Sequence, residues 1–464
     1  MCSVCPNTIL RASTRSPHLP ATSGTDPAAV PAGPAKPLKV VIGADTFSPN
    51  VNGSARFSQR LASGLAARGH DVHVVAPAAS RKHGTWVEEY DGQDITVHRL
   101  RSYRWYPHDW LRWSEPWFIN KNSDRILEQV DPDVVHFQSH IIVGRGLSIA
   151  ARKRGGVRII GTNHFMPENL LEFTLLPKSW QEKAVGMAWR AAKRTFGRAD
   201  VVTTPTQSAA DFLEKYTGLD GVLAISCGID ADNYTPDFTP RTENRILFVG
   251  RVTGEKQIDV LIKAVGLVPA DLDVKLDIVG GGDLLQKLEN QVKSLGLSDR
   301  VHFTGYVTEE ELRASYTRAT LFAMPSIAEL QSIATMEAMA SGLPVVAANA
   351  MALPHLVKDG QNGYLFEPGD AQQLADKIEL LLRLPQDELD AFKRASLKYI
   401  EAHDLQRTIM TFEQLYRGAS EVDTAALDAE LAAEAVAAHE LATTHEASAA
   451  QVGRAGLEPA TDGL

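Results

Sequence analysis

Four charged residues have the types and spacing to do chemistry. Glu329 and Glu337 stand in E-x7-E spacing in the stretch 321–348, LFAMPSIAELQSIATMEAMASGLPVVAA, and Arg251 and Lys256 lie upstream in R-x4-K spacing. The stretch opens on a short apolar run ending at Pro325, which reads as a buried strand. A loop carrying Glu329 follows, then a helical segment over 332–340 carrying Glu337. Gly342 is placed to close that helix and Pro344 to stop it. A loop feeding a helix N-terminus leaves backbone N–H groups unpaired at the positive end of the dipole, which is a seat for an anion. One carboxylate beside the seat and another about two turns along fit a ligand with phosphate at one end and hydroxyls at the other. The competing reading makes Glu329 a solvated loop residue and Glu337 the partner of a surface cation. Arg can fork two phosphate oxygens while Lys supplies a mobile point charge. The basic pair therefore suits phosphate oxygens, although R-x4-K alone describes many surface charge pairs.

The elements that must position these groups alternate along the chain. LKVVIGAD, from Leu38, reads as a buried parallel strand; a turn with Asn52-Gly53, an Ala- and Leu-rich helix and the strand DVHVVAP follow. That unit opens a doubly wound sheet, yet its turn offers one glycine, Gly53, where a dinucleotide fingerprint would want three. Strand-like runs continue at DITVHRL, DVVHFQ, VRIIGTNHF and ADVVTTP. They place His136, Gln138 and His164 at or just past strand ends, where open α/β sheets bind ligands. For each histidine the alternative is a purely structural role. Residues 229–241, rich in Asp, Pro and Thr, read as a linker. A second series of strands begins at NRILFVGRV and continues through VKLDIVGGG, VHFTG, LFAMP and PVVAA. The expected fold class is α/β, with two Rossmann-like doubly wound domains facing across a cleft.

With R-x4-K, a downstream strand and E-x7-E together, the chain from about 39 to 416 resembles the family-4 retaining glycosyltransferases of GT-B architecture. The resemblance implies that Arg251 and Lys256 neutralise the donor diphosphate, that Glu337 takes the ribose hydroxyls, and that Glu329 meets the donor sugar. It also implies donor contacts at Gly53, Gly281, Gly282 and Tyr306, a choice among Gln138, His136 and His164 beside the sugar, and a C-terminal helix returning to the first domain. After the first Glu the family usually has an aromatic residue or Leu and then Gly. This chain has Leu330, Gln331 and Ser332, also counted as donor contacts, and the departure leaves the donor sugar open between GDP-mannose and UDP-glucose. TNHFMPENL resembles the acceptor-side segment of members that glycosylate lipids.

Composition bounds the rest. The 464 residues are 44% hydrophobic and 22% charged, ordinary for two globular domains, and no apolar run is long enough to span a bilayer. Expected boundaries are a disordered extension over 1–37, an acceptor domain over 38–228, the linker over 229–241 and a nucleotide-sugar domain over 242–400. A returning helix over 401–417 and an acidic tail over 418–464 complete the chain. The tail holds nine acidic residues against Arg454, so −8 of the net −10 lies there and the remainder carries −2. That near-neutral body argues against nucleic acid as a partner. Three cysteines make no disulfide framework, Cys2 and Cys5 lack a second ligand pair, and a reducing, cytoplasmic compartment is expected. The triplets at Asp131, Asp230 and Asp271 read as turn chemistry, so no metal and no cofactor are expected.

All seven tryptophans fall between Trp86 and Trp189. The segment 178–198 carries six basic residues and one acidic, and reads as a basic helix with aromatic anchors. Trp180, Lys183, Trp189, Arg190 and Arg194 are its expected membrane contacts; a packed helix with a solvated basic face is the alternative. The reading that results is metal-independent, retaining transfer of a hexose from a nucleotide sugar to a lipid or glycolipid at the inner face of the membrane. A soluble acceptor, a non-catalytic nucleotide-sugar-binding protein and an epimerase on the same architecture are the alternatives.

Overall fold

A computed structural model describes residues 36–50, 52–105, 108–165 and 178–433. The readings made for 1–35, for the greater part of TNHFMPENL and for 434–464 lie outside them. At the centre of the first lobe is the strand Lys39–Gly43, whose four valine, isoleucine and glycine positions after Lys39 are all buried. Val40 lies between Val72 and Val134 in parallel register. On one side follow Asp71–Pro77, Gln93–Leu100 and the antiparallel edge Gly84–Tyr90; on the other, Val134–Phe137, Arg158–Thr162, Val201–Thr204 and Leu223–Ala224. The second lobe has a parallel sheet in the order Val301–Gly305, Val274–Val279, Asn244–Val249, Leu321–Met324, Val345–Ala348 and Gly363–Phe366. In each sheet the winding reverses beside the first strand of the lobe, and open α/β sheets bind ligands in the crevice at such a point. The first reversal sets Asp45 and Thr46 near Gln138, and the second sets Gly250 and Arg251 near the segment after Met324.

Helix entry follows local chemistry. Asn52 accepts from Ala55 N at 2.9 Å and opens Gly53–Ala67. Ser332 caps Ile333–Ala340, and Gly342 takes φ +72° just past its end, the left-handed conformation that glycine adopts without strain. Past the second lobe, Asp404 caps Leu405–Tyr416. This helix packs on the first lobe, with Phe412 5.9 Å from Phe57 and the Tyr416 hydroxyl 2.7 Å from His136 Nδ1. Gly64 makes the fit possible, because a Cβ there would stand 2.2 Å from Ile409 Cδ1. The two chain crossings between lobes are joined: Ile229 N donates to His403 O at 2.8 Å, and Leu405 N to Ile229 O at 3.1 Å.

The aromatic, Arg-rich stretch over 99–117 contains an antiparallel hairpin, Tyr103–Trp105 with His108–Trp113. The three Asp-x-Asp triplets lie at chain turns: Asp131 sits at φ +52° as a helix C-cap, Asp230 precedes the 3-10 turn Ala231–Asn233, and Asp271 lies within the 3-10 turn Ala270–Leu272. Among the described residues no helix is long and apolar enough to cross a membrane.

Candidate active site

The lobes enclose a cleft of about 590 Å³. On its second-lobe wall, Arg251 follows the strand Asn244–Val249 and Lys256 ends the 3-10 turn Gly254–Lys256. Lys256 Nζ is in close contact with Glu329 Oε1, and Arg251 donates to Glu255 Oε1 at 3.2 Å. Thr253 holds the same Glu255 oxygen at 2.7 Å. The four residues singled out by spacing therefore share one wall, together with Glu255, which spacing did not reveal.

Glu337 is 2% exposed and joins the lobes. Arg56 and Arg60, one turn apart on Gly53–Ala67, each reach one of its oxygens at 3.1 Å, while the Tyr316 hydroxyl donates to the other at 3.0 Å. Arg56 also contacts Glu309. Burial and then the Glu337 charge push the Tyr316 phenol far above its ordinary value. Sequence reading missed Arg56 and Arg60; their i, i+4 spacing just after the Asn-Gly turn was the available signal.

Gly53, Tyr306, Leu330, Gln331 and Ser332 line the cleft. Gly281 and Gly282 do not. A Cβ on Gly281 would stand 2.8 Å from the Tyr306 ring, and one on Gly282 2.4 Å from Val252 O, so both glycines serve close packing behind the wall. Gly280 is the member of the triplet that faces the cleft, at φ +128°, with its backbone against Gly250.

The first-lobe wall is neutral at its centre. Gln138 and His164 line the cleft, with His164 Nε2 2.9 Å from Gln138 Oε1. His136, expected there too, lies beneath: it is fully buried, bonded to Tyr416 and to Thr162 Oγ1, and 3.2 Å from Gln138 Nε2. It positions Gln138 and touches no cleft surface. With the Gln138 amide donating to His136 Nε2, its carbonyl accepts from His164 Nε2–H, so both rings are fixed as neutral tautomers. Burial, with His164 nearby, holds His136 down to about 3, and burial alone does the same for His164. Asp45 adjoins this wall, with Ser139 and the backbone N–H groups of Ile142 and Val143 on its oxygens.

Outside the cleft, Trp180 is 64% exposed on the helix Lys178–Phe196, beside exposed Lys183, Arg190 and Arg194. Trp189 is not a surface anchor. It is 3% exposed and stacks on Tyr216 at 5.2 Å, because helical periodicity turns it toward the neighbouring helix Gln207–Thr217. Among the described residues no group of three His, Cys, Asp or Glu side chains could hold a metal ion.

Two Rossmann-like lobes with their switch points across one cleft define the GT-B glycosyltransferase architecture. The family model described as glycosyltransferase family 4 matches residues 51–233, and that described as glycosyl transferases group 1 matches 234–398. The chain belongs to this glycosyltransferase family. It is 27% identical over 348 residues to a GDP-mannose-dependent α-mannosyltransferase of Corynebacterium glutamicum, covering 73% of this chain and 79% of the relative. A GDP-mannose-dependent α-(1-6)-phosphatidylinositol monomannoside mannosyltransferase of Mycolicibacterium smegmatis is 27% identical over 362 residues, covering 73% and 88%. Among solved structures, sucrose-phosphate synthase from Thermosynechococcus elongatus aligns with a TM-score of 0.69 at 19% identity, covering 82% of this chain and 98% of that one.

Proposed function

We propose that this glycosyltransferase moves a hexose from a nucleotide diphosphate sugar to a lipid or glycolipid acceptor at the cytoplasmic membrane surface, with retention and without a metal ion. One observation carries the reading: Arg251 and Lys256 stand on one wall, each held by a carboxylate, and face the neutral Gln138–His164 pair across the cleft. Fixed cations stabilise a departing diphosphate without rearrangement during the reaction. Glu329, released from Lys256 by the diphosphate, is free to take sugar hydroxyls, and Glu337, drawn away from Arg56 and Arg60, takes the ribose hydroxyls. Gln138 and His164 offer no carboxylate, and Asp45, the carboxylate of that wall, is taken up by Ser139 and the backbone N–H groups of Ile142 and Val143, which favours front-face attack with the leaving phosphate oxygen taking the acceptor proton. GDP-mannose is the favoured donor, in keeping with the two mannosyltransferase relatives.

The membrane part rests on Trp180, Lys183, Arg190 and Arg194, all exposed on one helix. Each basic residue near an anionic surface contributes about 1 kcal/mol, screened as the Debye length falls from about 10 Å at 0.1 M salt to 3 Å at 1 M. A panel of nucleotide sugars tests the donor: one should raise the melting temperature and be hydrolysed slowly, with the anomer of the transferred sugar read by NMR. Sedimentation with anionic vesicles at low and high salt tests the surface. Rapid transfer to a water-soluble acceptor by a chain that ignores such vesicles would discard the lipid reading.

A further inference from the structure

The cations lining the cleft are Arg56, Arg112, Arg251 and Lys256. Three of them rest on carboxylates: Arg56 on Glu337 and Glu309, Arg251 on Glu255, Lys256 on Glu329. Arg112 differs. Among the described residues its partners are the hydroxyl and carbonyl oxygens of Ser102, at 2.8 and 3.4 Å, both neutral. It also faces another guanidinium, since Arg104 and Arg112 are directly opposed across the hairpin. Like charges so placed repel and weaken a strand pair. Burial and then the Arg104 charge lower the Arg112 pKa, the direction expected of a cation short of negative charge. Asp45, the carboxylate on this wall, is engaged by Ser139 and by backbone N–H groups. Trp113 adjoins Arg112 in the chain, and the apolar side chains of Ile141, Ile142 and Phe165 line the same cleft, together with Asp45, Thr46 and Ser139.

We propose that Arg112 is the acceptor-side anion seat, and that the acceptor carries a phosphate group next to an apolar portion. The inference rests on the transferase reading and supplies its acceptor chemistry. A guanidinium forks two phosphate oxygens. Arg104 across the hairpin adds positive field without having to touch the ligand, and the apolar side chains of the same cleft offer a surface to the acceptor's apolar portion. A phospholipid headgroup and a free phosphate ester share this chemistry.

The test uses the full chain saturated with GDP or UDP, whichever the donor panel selects, so that the diphosphate subsite at Arg251 and Lys256 is filled. Calorimetry then follows four probes: inorganic phosphate, glycerol 3-phosphate, glycerol, and dihexanoyl phosphatidylglycerol below its micellar concentration with dihexanoylglycerol as control. Phosphate-bearing probes should bind and phosphorus-free ones should not. Arg112→Ala should weaken the former about tenfold to hundredfold, in line with a charge-assisted hydrogen bond, and Arg112→Lys should recover part of the loss. Tighter binding of the lipid probe than of glycerol 3-phosphate assigns a lipid source, and the reverse a soluble one. Wild type that takes dihexanoylglycerol or glycerol as readily as the phosphate esters overturns the proposal, with no variant needed. A phosphate preference that survives Arg112→Ala overturns it as well. Failure of every nucleotide to bind would instead defeat the transferase reading itself.

Discussion

The wall from the second lobe is charged, and its cleft cations Arg251 and Lys256 both rest on carboxylates. The facing wall is neutral at its centre, a hydrogen-bonded run from Tyr416 through His136 and Gln138 to His164. The difference lies in how each wall is kept in place. Ion pairs hold the charged wall: Lys256–Glu329 joins two short segments, 251–256 and 329–337, and Glu337 ties the second of them to the first lobe. The neutral wall is fixed by burial and by a helix drawn from the far end of the chain. A departing diphosphate needs charge placed in advance, whereas an incoming hydroxyl needs orientation in a dry setting.

If the charged wall carries the leaving group, Lys256→Ala should lower turnover about 10²–10³-fold, while EDTA leaves wild-type rates as they are. Metal-dependent turnover in which Lys256 is dispensable would dissolve the contrast between the walls. Glu337 is where they meet. Replacing it with Ala leaves Arg56 and Arg60 facing each other without their shared partner, at a cost of about 3 kcal/mol. Urea unfolding should show that loss together with weaker nucleotide binding; a stability equal to wild type would mean that the lobes are held elsewhere.

The neutral wall has its own signature in acid. His136 and His164 are both held down to about 3, chiefly by burial, against about 6.5 in the unfolded chain. Their folded values lie below the unfolded one, so the unfolded state takes up protons first. Stability is complete above pH 6.5 and falls as pH drops toward the folded values. The expected loss is about 1 kcal/mol apiece between pH 6 and pH 5. Unfolding curves identical at those two pH values would show that the wall is not desolvated. The smallest effect belongs to Gln257, held at φ +46° directly after Lys256. Gln257→Gly relieves the left-handed strain but frees the unfolded chain, so a net gain below about 1 kcal/mol is expected. A clear drop in melting temperature would assign the Gln257 side chain a supporting role.

The charged wall was legible in sequence because its spacing is local. R-x4-K and E-x7-E name residues that a strand end, a turn and one short helix bring together. The neutral wall was legible only in part. In a parallel strand covered on both faces, such as Val134–Phe137, apolar patterning does not say which side chain is covered by what, and so His136 was expected beside Gln138 and His164, which alone of the three line the cleft. Arg56 and Arg60 stood in plain view, yet their partner Glu337 lies in the other lobe, beyond the reach of any local pattern. Gly280, Gly281 and Gly282 close the run VKLDIVGGG, but three identical residues cannot reveal which one faces the cleft. Trp189 was placed at the surface by composition; its burial depends on Tyr216, on a different helix.

The returning helix Leu405–Tyr416 has a consequence for how the protein is made. Ribosomes deliver the first sheet early, but Phe57, Gly64 and His136 wait for Phe412, Ile409 and Tyr416. Nascent chains released before residue 405 would present an uncovered apolar face and a buried-type histidine without its phenol. The first lobe to emerge is therefore the last to be completed, and a gene fragment that stops at the linker encodes an unfinished lobe.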